Sequence, residues 1–141
     1  LYLNAAPCVA VLVRDDRGRV LLARRAIEPR AGLWDTPGGF LEPFETPEQA
    51  AVRELVEEAG VEIEVERLLA HLPDVYGDDG DPTLAAVVTA RITAGHLVAA
   101  DDVAELAWFA LDALPPRAEI AFPSTAAALA LLALDELGEP G

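Results

Sequence analysis

The chain has 141 residues, 52% hydrophobic and 25% charged, which fits one globular domain over residues 1–141 and excludes a disordered or two-domain chain. Twenty-five Asp and Glu stand against ten basic residues, all of them Arg, for a formal net charge of −15; such a field repels nucleic-acid polymers and anionic membranes, and the absent Lys excludes a P-loop or Schiff-base lysine. Cys8 is the only cysteine, which excludes a disulfide framework and a four-cysteine zinc site and suits a reducing, cytoplasmic compartment.

No signal-peptide pattern opens the chain. It also lacks Met, so Leu1 is not a translation start and the sequence reads as trimmed from something longer. Residues 7–14 read as a buried strand, Asp15-Asp16-Arg17-Gly18 as a turn, and Arg19 to Arg24 as the second strand of a hairpin. Residues 28–39 are rich in Pro and Gly and read as a loop, with a short strand at Leu33-Trp34. A helix is expected over 47–59, then a half-buried strand opening on Val61-Glu62-Ile63-Glu64-Val65. Residues 74–82 read as an acidic loop. Leu84 to Thr93 is an apolar strand that turns at Ala94-Gly95-His96 toward a short partner at 96–98. Leu106 to Ala110 is one more strand, 115–123 a Pro-marked loop, and 125–137 a Leu/Ala helix capped by Ser124 and ended by Gly138. At about 13 residues that helix is short of the ~20 needed for a membrane span, so it should be packed. Strands mixed with two helices give an α/β or α+β class with a mixed sheet.

The chemistry concentrates between Gly39 and Val61. Thr46-Pro47-Glu48-Gln49 is a capping box with proline at the first helical position, and Gly60 supplies the C-terminal stop. Val52, Leu55, Val56 and Ala59 form the expected apolar face. Glu54, Glu57 and Glu58 then fall within an arc of roughly 100° on the other side. Stacked carboxylates repel one another, and helix propensity asks for nothing of the kind. A solvated acidic face would be the plain reading of three such glutamates alone. A divalent cation gives the crowding a reason, because hard cations take several carboxylate oxygens and keep positions open for water and substrate phosphates. Pro37-Gly38-Gly39 lets the backbone turn sharply and approach a ligand, and a carbonyl there would add another hard oxygen. The set is equipped for metal-assisted attack of water on a diphosphate.

These residues resemble the signature of the Nudix hydrolase family. Its pattern is Gly, five residues, Glu, seven residues, then Arg-Glu-apolar-x-Glu-Glu-x-Gly-apolar. Gly39, Glu45, Arg53, Glu54, Leu55, Glu57, Glu58, Gly60 and Val61 fill it without departure. The resemblance spans only this 23-residue stretch, with Trp34-x-x-Pro37-Gly38-Gly39 upstream also similar. It implies an α/β/α sandwich with a mixed sheet, dependence on Mg²⁺ or Mn²⁺, and hydrolysis of a nucleoside diphosphate linked to another group. Glu57 and Glu58 would be metal ligands, Glu54 a ligand or the base that activates water, and the Gly38 carbonyl a further ligand. Glu45 and Arg53 would orient the cluster. A downstream loop often adds a carboxylate in this family; Asp101, Asp102 and Glu105 are candidates, with Glu105 favoured, and Asp78, Asp79 and Asp81 compete.

Tyr76 is the candidate for stacking on a base, against the plainer reading of a loop aromatic. Trp34 and Trp108 read as core, His71 and His96 as structural or surface residues, and Cys8 as a buried, inert thiol. Ser124 is the only serine, so a serine hydrolase is excluded. For substrate, the Ser-Gln-Pro-Trp-Pro-Phe-Pro motif of the family's NADH-pyrophosphatase branch has no counterpart, which disfavours that branch. Pro73 lies near the proline of ADP-ribose hydrolases and Tyr76 near the tyrosine of diadenosine-polyphosphate hydrolases, so the two cues conflict. Capped RNA is disfavoured by the acidic surface. An ADP-sugar such as ADP-ribose is the first expectation and a nucleoside triphosphate the second; a non-catalytic nucleotide-sensing module is the alternative outside the enzymes. The family is often dimeric, which leaves a homodimer open. Leu1-Tyr2-Leu3-Asn4 before Pro7 resembles the segment that joins a zinc ribbon to some Nudix domains.

Overall fold

The computed structural model describes residues 4–77 and 80–138. Leu1 to Leu3 of the ribbon-like segment and the candidates Asp78 and Asp79 lie outside the described residues.

The strand expected at 7–14 is β1 (Ala6–Arg14), and its alternation is buried on both faces. Val9, Val11 and Val13 enter one core cluster while Leu12 enters another. A strand apolar on both sides belongs inside a sheet covered twice. Helix α1 (Pro47–Ala59) covers the first face through Ala50, Ala51, Leu55 and Ala59. Helix α2 (Pro123–Gly138) covers the second through Ala128, Leu129 and Leu132. The result is the expected α/β/α sandwich. None of the described helices is long and apolar enough to cross a membrane.

The remaining strands are β2 (Val20–Arg25), β3 (Trp34–Asp35), β4 (Gly38–Phe40), β5 (Val61–Tyr76), β6 (Asp81–Gly95) and β7 (Val103–Phe109). The main order is β3-β2-β1-β6-β5, with β4 on β1 and β7 on β2. β1 and β6 run parallel, from Ala6↔Thr83 to Arg14↔Arg91, and the other pairs are antiparallel. The hairpin strands β1 and β2 pair only at Arg14↔Val20 and then part. β4 takes the freed edge of β1 at Cys8 to Ala10, and β3 takes that of β2 at Ala23 and Arg24. This splay is where the sheet opens.

Several local expectations are corrected. Val52 and Val56 are 40% and 50% exposed. The helix is rotated so that small Ala side chains meet the sheet, allowing close approach, and Glu54 and Glu58 flank the buried row. The acidic loop of 74–82 is much shorter, because β5 runs to Tyr76 and β6 starts at Asp81. Residues 96–98 form no strand. Instead Val98 N–H donates to Ala59 O at 2.9 Å and Ala100 N–H to Glu58 O at 3.0 Å, filling acceptors that α1's last turn leaves free. β7 begins at Val103, earlier than expected. Ser124 lies inside the first turn of α2 and does not cap it. Asp74 of β5 takes that task across the fold, its Oδ2 accepting from Ser124 N–H at 2.8 Å.

Candidate active site

Two adjacent glycines build the site for different reasons. Gly38 has φ 145°, and a Cβ there would lie 2.0 Å from the Val9 carbonyl oxygen. β4 therefore docks on β1 only with glycine at this point. Gly39 has no such backbone constraint, but a Cβ there would stand 2.7 Å from Oε1 of Glu54. Its missing side chain is the space that the Glu54 carboxylate occupies.

Arg53 organises the acids. Its Nε and NH2 donate to the two Glu45 oxygens at 2.8 and 2.9 Å, a forked pairing, and NH2 also donates to Phe40 O at 3.1 Å. Its NH1 reaches Glu54 Oε1 at 2.9 Å and Glu57 Oε2 at 3.2 Å. Hydrogen bonds from Arg53 hold the Glu45 carboxyl down to about 2, and Glu45 in turn raises the Arg53 guanidinium further above its ordinary value. Glu58 behaves oppositely. Burial first, then the neighbouring Glu54 carboxyl, pushes it well above the ordinary carboxylate range, with Asp102 adding to the rise and the Gly38 N–H opposing it.

Glu54 and Glu58 thus form a close carboxyl pair that burial and mutual repulsion make costly as two bare anions. Among the described residues, no three His, Cys, Asp or Glu side chains converge as a closed metal cage. Glu57 turns outward to Arg53, its side chain 57% exposed. Glu105 turns to Arg24, 2.8 Å away. Asp102, and not Glu105, lines the cavity with Glu54 and Glu58. A carboxyl pair with one acid facing it fits a Mg²⁺-type ion, which takes one or two carboxylates and completes its shell with waters and substrate phosphates.

The cavity has a volume of about 570 Å³. Its floor is made of small residues, including Cys8, Ala10, Ala23 and Ala85, so a flat ligand can lie against the sheet. Tyr76 does line it. Its ring meets Phe40 edge-on at 5.3 Å and stacks on Phe122 at 5.9 Å. Cys8 is half-buried at the cavity, not fully buried, and burial followed by Asp35 and Asp74 raises its thiol to about 11. It is protonated at neutral pH. Trp34 and Trp108 are partly buried against the two cores. His71, His96, Asp81 and Asp101 are exposed and outside the cavity.

Sequence reasoning missed Asp35, Asp74, Arg25 and Phe122, all at the cavity. Asp35 Oδ1 accepts from Thr125 Oγ1 at 2.8 Å, and Arg25 NH1 reaches its Oδ2 at 3.3 Å. Burial raises the Asp35 carboxyl against these bonds. No local motif marks the four; they meet only because β2, β3, β5 and the segment leading into α2 converge.

Comparison with known proteins agrees with this architecture. The NUDIX domain model matches residues 5–129. An ADP-ribose pyrophosphatase of Methanocaldococcus jannaschii is 36% identical over 118 residues, 84% of this chain and 69% of that protein. The NAD-capped RNA hydrolase NudC of Pseudomonas aeruginosa is 40% identical over 122 residues, 82% of this chain but only 40% of that protein. The crystal structure of a MutT NUDIX hydrolase from Burkholderia pseudomallei superposes with a TM-score of 0.78 at 32% identity, covering 91% of this chain and 98% of that one. Fold, glutamate helix and relatives together define an enzyme that hydrolyses a diphosphate linkage. The chain belongs to the NUDIX family and is a Nudix hydrolase.

Proposed function

We propose that this protein hydrolyses the diphosphate linkage of a small nucleotide, a nucleoside diphosphate joined to another group, using Mg²⁺ or Mn²⁺. Residues 1–141 are read as one Nudix domain that works in the cytoplasm. An ADP-ribose-like compound is the first substrate choice, supported by the name of the M. jannaschii relative. A nucleoside triphosphate is the second; a CTP pyrophosphohydrolase of Escherichia coli is 46% identical over 71 residues, 49% of this chain and 52% of that protein. The NudC name keeps NAD-capped RNA in the comparison, against the charge of −15 on this chain.

The observation that carries this reading is that one cavity joins the Glu54–Glu58 pair to the aromatic group of Phe40, Tyr76 and Phe122. Glu54, Glu58 and the backbone at Gly38 would hold the cation, with Asp102 facing them and Glu57 at the rim. A bound divalent ion supplies Lewis-acid stabilisation of phosphoryl charge and lowers the pKa of water. The protein's own residues do the rest. Arg53, locked by Glu45, fixes Glu54 so that its carboxylate is aimed and can accept a proton from the attacking water. The aromatic group receives the base and keeps water from that side of the ligand.

A panel of nucleoside diphosphate conjugates and triphosphates, assayed with Mg²⁺ by phosphate release after phosphatase coupling, tests the reading. Turnover of an ADP-sugar above the triphosphates is expected. Binding without turnover of any panel member would favour a nucleotide-sensing module.

A further inference from the structure

The charge of the cavity opposes the proposed substrate. Glu54, Asp74 and Asp102 line it beside the raised Glu58 and Asp35 carboxyls, and a diphosphate brings further negative charge. Three arginines line the same space, and they differ in how many donors they have left. Arg53 is used by Glu45, Glu54, Glu57 and the Phe40 carbonyl. Arg25 donates Nε to Pro29 O at 2.6 Å, and its two other nitrogens face Asp35 Oδ2 at 3.3 Å and the Tyr76 hydroxyl at 3.4 Å. Its guanidinium also lies 5.3 Å from the Phe122 ring centroid.

Arg24 is held more lightly. Among the described residues its polar partner is Glu105, one nitrogen to one oxygen at 2.8 Å, and its side chain is 43% exposed. Its guanidinium lies 5.7 Å from the Trp34 ring centroid. A guanidinium carries five N–H donors in a planar fork, so most of this fork remains available. Register explains the arrangement, because Arg24 and Glu105 are direct partners across β2 and β7.

We propose that Arg24 binds a phosphate group of the substrate, and that Glu105 is a positioning residue that holds the Arg24 guanidinium over Trp34. The proposal rests on the diphosphate reading above and names the group that takes the charge the cation leaves unneutralised. A guanidinium fork matches two oxygens of one phosphate, which an ammonium does only as a point charge. The indole face restricts the plane of that fork through a cation–π contact. Glu105 then acts through Arg24 and touches neither cation nor substrate.

The test uses the whole chain with Arg24→Gln, Arg24→Lys, Glu105→Gln and the Arg24→Gln/Glu105→Gln double variant. Binding of α,β-methylene-ADP with Mg²⁺ is measured by calorimetry beside steady-state kinetics and melting curves. Arg24→Gln should raise Kd and KM about tenfold, which is ~1.4 kcal/mol, with kcat within about threefold. Arg24→Lys should fall between it and wild type. Glu105→Gln should weaken binding by about threefold, leave the Mg²⁺ half-saturation unchanged, and add nothing once Arg24 is replaced. An exposed pair of this kind contributes ~0–1 kcal/mol to stability, so the variants should stay folded. Unchanged Kd in Arg24→Gln overturns the phosphate role. A raised Mg²⁺ requirement in Glu105→Gln overturns the positioning role. Arg24-dependent binding of the analogue in a wild type that hydrolyses no panel member would uphold this site and overturn the hydrolytic reading instead. No binding by a wild type that turns over a panel member would overturn the phosphate site alone, and no binding with no turnover would overturn both.

Discussion

Replacing Gly39 by Ala separates the site from the scaffold that carries it. A Cβ at this position would stand 2.7 Å from Glu54 Oε1 and 2.9 Å from its Cδ. The carboxylate must retreat by about 0.7 Å to reach ordinary contact near 3.4 Å. It is the end of a side chain and can do so, at the cost of its 2.9 Å bond to Arg53 NH1. Misplacing a reacting group by about 1 Å can cost ~10²-fold in rate, so kcat should fall by about 10–10²-fold, or ~1.4–2.7 kcal/mol of barrier. Melting in chelator should shift little, because Gly39 is not at a positive φ. Gly38→Ala is the contrasting variant. Its Cβ would meet the Val9 carbonyl oxygen at 2.0 Å, and its φ of 145° is unsuited to an L side chain. That variant should lose stability and activity together. Kinetics with Mg²⁺ and melting curves on the same preparations decide the matter. Normal turnover and normal Mg²⁺ half-saturation in Gly39→Ala would refute the placement of Glu54 at the reaction centre.

Removal of divalent ions with chelator should abolish hydrolysis, and Mg²⁺ or Mn²⁺ should restore it; full activity in metal-free buffer would sink the proposed mechanism. Glu58→Gln should lower kcat/KM by more than about 10²-fold, ~2.7 kcal/mol, whereas Glu57→Gln, on a side chain 57% exposed against Arg53, should lower it by no more than about tenfold. Equal losses would show that Glu57 swings in as a ligand. Asp102→Asn should raise the Mg²⁺ needed for half-activation, a shift that titration of activity against Mg²⁺ would detect. Burial works against ionisation of Asp74, but hydrogen bonds from Ser124 and Val75 outweigh it and hold its carboxyl below the ordinary value of 3.8. A lowered folded pKa means stability present above 3.8 that is lost as pH falls through the folded value. Asp74→Ala should therefore cost about 1 kcal/mol at neutral pH, as for a lost helix cap, about 3–5 °C in Tm. The gap from wild type should narrow as pH falls below 3.8, and a gap that stays constant there would contradict the charge assignment.

Much of this molecule was legible because its signals are local. Thr46 accepts from Gln49 N–H, and Gly60 adopts φ 71°, as the capping residues required. β1, β2 and the strand opening at Val61 follow directly from their apolar patterning. What failed were inferences about rotation and long-range use. Periodicity admitted Val52 and Val56 on the buried face, and only the packing of Ala51, Leu55 and Ala59 on the sheet turned them outward. Ser124 has the composition of a cap, but Asp74, 50 residues earlier, does the capping. In the site, the Nudix signature singled out Glu54 and Glu58, which the structure places side by side at the cavity, while the partners of Glu57 and Glu105 depend on where Arg53 and Arg24 point. The aromatic and acidic wall around Tyr76 was largely illegible, since Asp35, Asp74 and Phe122 meet only through tertiary convergence.

The parallel pairing of β1 with β6 also has a consequence for how the chain reaches its native state. Ala6 aligns with Thr83 and Arg14 with Arg91, partners 77 residues apart in sequence. Closing so long a loop costs entropy before any reward arrives, which slows folding when the contacts are central. Until β6 has left the ribosome, the Val-rich β1 has only β2 and β4 beside it and presents an unpaired apolar edge. Nascent chains that stall before residue 83, or fragments that end there, should therefore self-associate readily. Synthesis past Gly95 completes the pairing of β1 with β6 and of β6 with β5, so the commitment to fold should follow the emergence of that residue and be abrupt.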